Sequence, residues 1–400
     1  MKNLLVAQSG GPTAAINASL AGVISGALQE NNIDKIYGAV YGIEGVLNNN
    51  LTELNNLDLN ILKQTPAAYL GSCRKKLPKI SDNPAIYQQI FSFFQEKNIG
   101  YFLYIGGNDS MDTVCKLSDY AKEHNIDVKI IGVPKTVDND LAITDHTPGF
   151  GSAAKYVATT LAEITEDSMV YDLKSVTIVE VMGRHAGWLT GAAALARNAK
   201  RAAPHLIYLP EIPFLKEQFI SDVQSLFDKG IHQVIVAVSE GIHDEKGAFI
   251  CEGATSATDS FGHAMLSGAG KALENLVKAE LGCKARSVEL NVCQRCAGHL
   301  LSKTDITESF AIGEAGVRQA VLGHSGEMML FVRTSDTPYQ IHIESADIHK
   351  SANVEKCVPL EWIRNGNDVT DELTTYLKPL IAGQMDICFD ENGLPKHLHR

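Results

Sequence analysis

Two polar clusters in this chain carry residue types suited to phosphate and divalent-cation chemistry. Asn108, Asp109 and Ser110 follow Gly106-Gly107, and Lys135, Thr136, Asp138 and Asp140 follow Pro134. Carboxylate and amide oxygens ligate hard cations such as Mg2+. A lysine balances phosphate charge, and a positioned aspartate can take a proton from a hydroxyl. A second glycine turn, Ser9-Gly10-Gly11-Pro12, and the loop run Arg74-Lys75-Lys76 add possible backbone amides and cations. Both features also have ordinary explanations. Many α/β proteins turn on Gly-Gly for packing, and a short charge run is commonly a solvated surface.

Several elements must bring these clusters together. Residues 101–105 (YFLYI) predict a buried strand, Met111, Val114, Leu117 and Ala121 recur at helical spacing, and 128–133 is a second apolar β run. A strand–helix–strand unit with parallel strands delivers both clusters to the same sheet edge. The N-terminus repeats the pattern: a strand at 4–7, the glycine turn, then a helix at 13–29 striped by Ile16, Leu20, Val23, Ile24 and Leu28. A strand is expected at 35–41. A helix is expected at 84–97, with Ile86, Ile90, Phe93 and Phe94 inward. Further on, the pattern predicts a long helix to 166, a strand at 175–181 ending in Met182-Gly183-Arg184, and a helix through 196. Strands follow at 205–208 and 234–238, then a helical stretch at 257–282 and a strand at 287–292. Strands at 328–332 and 339–343 and a helix near 370–382 complete the reading.

Three motifs are ambiguous. Glu240, at a strand end before Gly241, suits a ligand or a helix-capping role equally. Residues 149–154 spell a nominal G-x-G-x-x-A but follow a proline loop instead of a strand, so they read as a turn opening a helix. Cys293-Gln294-Arg295-Cys296 has no second pair for a zinc site and no thioredoxin-type setting. Arg295 is its more interesting residue.

Composition narrows the partners. A chain of 400 residues that is 45% hydrophobic can bury two domain cores. A net charge of −12 argues against nucleic acid. No apolar run reaches membrane-spanning length and the N-terminus lacks a signal-peptide layout, so no membrane partner is expected. Eight scattered cysteines without disulfide-module spacing suit reduced thiols and a cytoplasmic location.

Together SGGPTAAINAS, GGNDS, PKTVDND, VEVMGRHAGW, VSEG and, more loosely, NVCQR resemble the phosphofructokinase family in order and rough spacing, over residues 1–325. The resemblance implies an α/β protein of two doubly wound, Rossmann-like three-layer domains, with the active site in the cleft between them. Expected boundaries are 1–140 plus about 257–303 for a pyrophosphate/Mg2+ domain and about 141–256 plus 304–330 for a sugar-phosphate domain. Residues 331–400 form an extension of unassigned role.

The resemblance also implies roles. Asp138 matches the general base toward the 1-hydroxyl of fructose 6-phosphate. Thr136, beside Asp140, matches a substrate contact. Gly11 matches the glycine whose backbone meets the phosphoryl donor, and Arg74 an arginine near the transferred group. Met182, Gly183 and Arg184 match sugar-phosphate and transition-state contacts, and Glu240 a ligand of sugar hydroxyls. Arg286 and Arg295 match the arginines holding the 6-phosphate. Arg286 would reach across from a neighbouring subunit of a homo-oligomer, a dimer or tetramer. ATP-using relatives carry glycine at the positions of Asp109 and Lys135. GGND with PKT is the pattern of the pyrophosphate-dependent branch, in which Asp109 excludes a nucleotide and Lys135 meets the shorter donor.

Departures from the family pattern are Asn108, where ATP enzymes place a magnesium-binding aspartate, Val292 at a substrate-contact position, and Ser175 at a cross-subunit arginine position with Lys174 beside it. The implied activity is reversible, Mg2+-dependent phosphoryl transfer from pyrophosphate to fructose 6-phosphate, in glycolysis or gluconeogenesis. The rivals are an ATP-dependent phosphofructokinase, which Asp109 and Lys135 oppose, and a non-catalytic regulatory subunit, which the presence of Asp138, Gly11, Lys135 and Arg184 opposes.

Overall fold

A computed structural model describes residues 1–251, 268–351 and 354–400. The expected helical stretch at 257–282 begins outside these residues, and its described part is a helix at Ala269–Leu281. In chain order the strands of the two main sheets are β1 Lys2–Gln8, β2 Ile33–Ala39, β3 Leu51–Glu53, β4 Ile99–Gly106, β5 Lys129–Pro134, β6 Ser175–Val181, β7 Leu206–Tyr208, β8 Gln233–Ser239, β9 Lys284–Glu289, β10 Glu327–Asp336 and β11 Tyr339–Asp347. The longer helices are α1 Ile16–Leu28, α2 Pro84–Glu96, α3 Asn108–Glu123, α4 Phe150–Ser168, α5 Lys216–Asp228, α6 Ala269–Leu281 and α7 Lys303–Val321.

The chain divides into two compact units: Met1–Ser152 with Arg295–Glu355 and Ala382–Arg400, and Ala153–Gln294 with Lys356–Ile381. In the first unit the sheet runs β11-β10-β5-β4-β1-β2-β3. Strands β10, β5, β4, β1 and β2 are parallel neighbours, and β11 and β3 are antiparallel edges. Side chains alternate across this sheet, as the two-residue period of a strand requires. Leu5, Phe102, Tyr104 and Ile130 pack with α2 and α3 on one face. Leu4, Val6, Leu103, Ile105, Ile131 and Val133 pack with α1 and α7 on the other. That is the expected three-layer, doubly wound arrangement. The chain leaves β1 toward β2 and later returns to β1's other side as β4. Ligands in such sheets collect at this reversal, outside the carboxyl ends of the strands.

The second unit holds a parallel sheet of order β7-β8-β6-β9. Val176, Ile178, Val234 and Val236 pack with α5 and α6 on one face, and Val179 and Val181 are buried as well.

The expected boundaries need revision. Residues 269–294 belong with the second unit because β9 pairs in parallel with β6 and α6 packs on that pair. Residues 304–330 belong with the first, because α7 lies against α1 and β10 pairs with β5. Residues 331–400 are no separate extension: β10 and β11 complete the first sheet, Lys356–Ile381 joins the second unit and Ala382–Arg400 returns to the first. Two elements also differ. The strand expected at 287–292 lies at Lys284–Glu289, and the helix to 196 is a single α turn, Trp188–Gly191, followed by 3-10 residues Ala192–Ala196.

Glycines set the α1–α7 spacing. A β-carbon on Gly22 would clash with the Phe310 backbone carbonyl, and one on Gly313 would lie 2.8 Å from the Val23 nitrogen. Both obstacles are main chain and cannot rotate away. Gly22→Ala is therefore expected to destabilise the protein by about 1–3 kcal/mol, as overpacked cores do. Denaturant unfolding measures it, and an unchanged midpoint would refute the close crossing.

Candidate active site

The first unit assembles its polar residues at the carboxyl ends of β1, β4 and β5. Ser9, Gly10 and Gly11 follow β1; Gly107, Asn108 and Asp109 follow β4; Lys135 to Asp140 follow β5. Three local features hold the turns. Gly10 has φ +77° and its N–H donates to the Cys73 carbonyl at 3.2 Å. Ser72 Oγ donates to the Gly10 carbonyl at 2.6 Å. Ser9 and Ser110 hydroxyls meet at 2.5 Å, which is possible because Gly106 leaves room for Ser110.

Lys135 is the central cation. It is 2% exposed, and its Nζ donates to the Gly11 carbonyl at 2.7 Å. Burial lowers its pKa to about 8; Asp138 and Asp140 oppose that shift, while Arg295 and Arg74 reinforce it. Arg295 Nη1 would lie 3.4 Å from a β-carbon on Gly11. The site therefore gathers three cations within reach of one another in a chain of net charge −12, and an anion among them would relieve their mutual repulsion.

The N-cap of α3 is Gly107, without a side-chain cap. Asn108 and Asp109 lie in the first helical turn. Asp109 pairs with Lys76 at 2.9 Å. Asn108 Nδ2 donates to Asp140 Oδ2 at 3.4 Å, whereas its Oδ1 is buried with no hydrogen-bond partner. A buried amide oxygen in that condition, facing away from the bond its own nitrogen makes to a carboxylate, suits a hard cation. Asp138 is half-buried. Its N–H donates to Thr136 Oγ1 at 3.1 Å, and Thr147 Oγ1 donates to the Thr136 carbonyl at 2.8 Å.

Behind this loop lies a buried charged cluster that sequence reading missed. His146 is 2% exposed and bonds Asp145 Oδ1 and Glu308 Oε2, each at 2.8 Å. Arg333 and Tyr339 complete the cluster, through Asp145 at 2.9 Å and Glu308 at 2.9 Å. Burial opposes charge on His146, but its bonds to Asp145 and Glu308 outweigh burial and raise its pKa above the ordinary value of 6.5. A raised folded-state pKa contributes stability that is complete below 6.5 and fades as pH rises through the higher folded value. Thermal scans should show stability falling over that window, with a smaller fall in Glu308→Gln. An identical pH profile in the variant would refute the coupling.

In the second unit, Met182, Gly183 and Arg184 follow β6, and Glu240 follows its neighbour β8. Gly183 has φ +133°. Its N–H donates to Glu240 Oε1 at 3.3 Å, and Ser239 Oγ donates to its carbonyl. A β-carbon on Gly241 would strike the Arg184 carbonyl. Glu240 is thus a neighbour of the Met182–Arg184 turn.

Arg286 stands apart from that turn. It lies on β9 opposite Thr177, exposed, with Nη1 3.7 Å from Asp167 Oδ2. Together with Tyr171, Leu173 and Ser175 it lines a small cavity at the start of β6. Lys174 lies over the Phe227 ring at 5.1 Å, and Val292 is exposed.

Two carboxylates of the second unit hold main-chain N–H groups without having been expected. Glu180 accepts from Gly270 N at 2.7 Å, and its pKa is pushed up to about 7, mainly by burial. Glu211 accepts from Gly187 N at 2.7 Å and Val358 N at 2.9 Å. A lone glutamate in the apolar run VTIVEV was a readable signal for Glu180. Nothing local marks Glu211.

The Phosphofructokinase family profile matches residues 3–300. The Pyrophosphate--fructose 6-phosphate 1-phosphotransferase of Xanthomonas campestris is 42% identical, over 99% of this chain and 95% of its own. Its counterpart of the same name from Rhodospirillum rubrum is 37% identical, with 99% of each covered. Among solved structures, the pyrophosphate-dependent phosphofructokinase from Nitrosospira multiformis has a TM-score of 0.90 at 38% identity, covering 99% of this chain and 96% of its own. Similarity thus continues past residue 325, where the motifs stop.

Proposed function

The chain belongs to the phosphofructokinase family, and on that premise we propose that it transfers a phosphoryl group from pyrophosphate to the 1-hydroxyl of fructose 6-phosphate, reversibly. The observation that carries the donor assignment is Lys135: a buried ammonium held on the Gly11 carbonyl at 2.7 Å, with Asp109 at the head of α3. Full-length similarity to relatives named for pyrophosphate supports the same reading.

Chemically, little covalent work falls to the protein. Lys135, Arg74 and the Gly11 backbone hold the donor. Asp138 takes the hydroxyl proton, with Thr136 beside it. Arg184, Met182, Gly183 and Glu240 orient the sugar phosphate, and Arg295 and Arg286 receive its 6-phosphate. Arg286, on an edge strand, suits contribution to a neighbouring copy in a homo-oligomer. Asn108 Oδ1 would hold Mg2+, which supplies charge neutralisation on the transferred phosphoryl group, while Asn108 Nδ2 stays on Asp140. The cysteines among the described residues are not joined in disulfides, which supports a cytoplasmic setting.

Fructose 1,6-bisphosphate formation with pyrophosphate and ATP compared in parallel tests the proposal. Turnover with pyrophosphate and little with ATP is expected, and an ATP preference would overturn the donor assignment. Asp109→Gly should raise ATP use about tenfold or more, because it removes a carboxylate that would face the nucleotide's α-phosphate. Unchanged ATP kinetics in that variant would show that Asp109 does not select the donor.

A further inference from the structure

On the flank of α3, away from its first turn, three unlike ligand groups converge. Cys115 and Asp119 stand one helical turn apart, and His349 sits in the short turn Ile348–Lys350 after β11. Cys115 Sγ lies 3.8 Å from Asp119 Oδ2, and His349 Nε2 lies 3.2 Å from the same oxygen. The sulfur, oxygen and nitrogen all fall within 4.8 Å of one another. Tetrahedral coordination with bonds of about 2.0–2.3 Å gives ligand–ligand edges of roughly 3.3–3.8 Å. Two edges are therefore close to coordination length already, and the third needs to close by about 1 Å at most.

We propose that Cys115, Asp119 and His349 form a three-ligand site for a borderline divalent cation of the Zn2+ class. The donor set carries the choice of ion: thiolate and imidazole suit Zn2+ or Co2+, whereas Mg2+ prefers oxygen alone. Asp347 supplies the outer support that metal-binding histidines commonly have. Its Oδ1 accepts from His349 Nδ1 at 2.6 Å and from His349 N at 2.9 Å. That bond places the proton on Nδ1 and turns Nε2 toward Asp119. His349 and Asp119 are about half exposed, leaving the ion a way in. A fourth position falls to water. The bound cation would clip the turn after β11 to α3, the helix whose first turn carries Asn108 and Asp109. Its expected effect is on stability.

The test uses the full chain, freed of metal with a chelator and titrated with Co2+. One equivalent per chain should bring up thiolate-to-cobalt charge-transfer absorption. Cys115→Ser should abolish that absorption while pyrophosphate-dependent turnover stays unchanged, which shows that the variant is folded. Asp347→Asn, acting through the histidine, should weaken Co2+ binding about ten- to hundredfold. Zn2+ should raise the melting temperature of the wild-type chain and not of His349→Gln. No charge-transfer band in the wild type, or a band that survives Cys115→Ser on another cysteine, would overturn the proposal.

Discussion

Asp138→Asn should lower phosphoryl transfer about 10²–10⁴-fold, the range associated with loss of a positioned general base. The loss should fall on kcat, with KM for fructose 6-phosphate little changed, because amide and carboxylate have similar shape and the substitution removes basicity alone. The turn itself should survive. It is held by the Asp138 N–H on Thr136 Oγ1 at 3.1 Å and by Thr147 Oγ1 on the Thr136 carbonyl at 2.8 Å, and neither bond uses the Asp138 carboxylate. The reverse reaction should fall by the same factor, since the group that accepts a proton in one direction returns it in the other. Steady-state assays in both directions decide this. A change confined to KM would make Asp138 a binding residue. An unequal loss in the two directions, after correction for binding, would indicate that chemistry does not limit the rate.

Lys135→Met should reduce kcat/KM for pyrophosphate by about a hundredfold. A hydrogen bond to a charged partner is worth roughly 1.5–3 kcal/mol, or about tenfold to somewhat over a hundredfold. The upper end is expected because the same ammonium also fixes the Gly11 carbonyl at 2.7 Å. Methionine fills the buried space but donates nothing. The wild-type enzyme should also show an alkaline limb in kcat/KM. Burial lowers the Lys135 pKa to about 8, so raising the pH through that value removes the cation that meets the donor. Bound pyrophosphate favours the charged form, so the limb in kcat should lie at higher pH. For stability the sign is opposite. Between the folded value of about 8 and the ordinary 10.5, the unfolded chain binds the extra proton and folding gains with pH. Pyrophosphate use falling while the fold becomes no less stable would therefore separate loss of the site from denaturation. A Lys135→Met enzyme that keeps the alkaline limb would refute the assignment.

Donor choice is thus attributed to two residues with unequal support. Lys135 has a defined place in the fold: buried, cationic, and bonded to the turn expected to meet the donor. Asp109 is half-exposed and paired with Lys76 at 2.9 Å, a pair whose own contribution to stability is small at such exposure. Its effect on ATP depends on blocking and repulsion, so its variant should change donor preference more than pyrophosphate turnover.

Local sequence determined a good deal. Continuous apolar runs placed β1, β4, β5, β6 and β8, because strands buried on both faces need apolar residues at successive positions. Helical periodicity placed α1, α2 and α3 within a few residues. The Gly106-Gly107 turn before Asn108-Asp109, and Pro134 before Lys135-Thr136, marked the carboxyl edge of the first sheet, because glycine lets main chain and ligand approach closely and proline interrupts a strand. Less was visible wherever partners are distant in the chain. β9 lies three residues earlier than its apolar content suggested, because pairing with β6, and not periodicity, sets its limits. The units interleave segments from both ends of the chain. No local pattern shows that α7 closes on α1 through Gly22 and Gly313, or that β10 joins β5. The same holds for chemistry. Residue type alone could nominate Lys135, Asp138 and Asn108. Only the tertiary structure could bury Lys135 until its pKa fell, leave Asn108 Oδ1 without a partner, and set His349 against Cys115 and Asp119 from more than two hundred residues away. Those properties come from burial and through-space distance, which depend on packing and not on order along the chain.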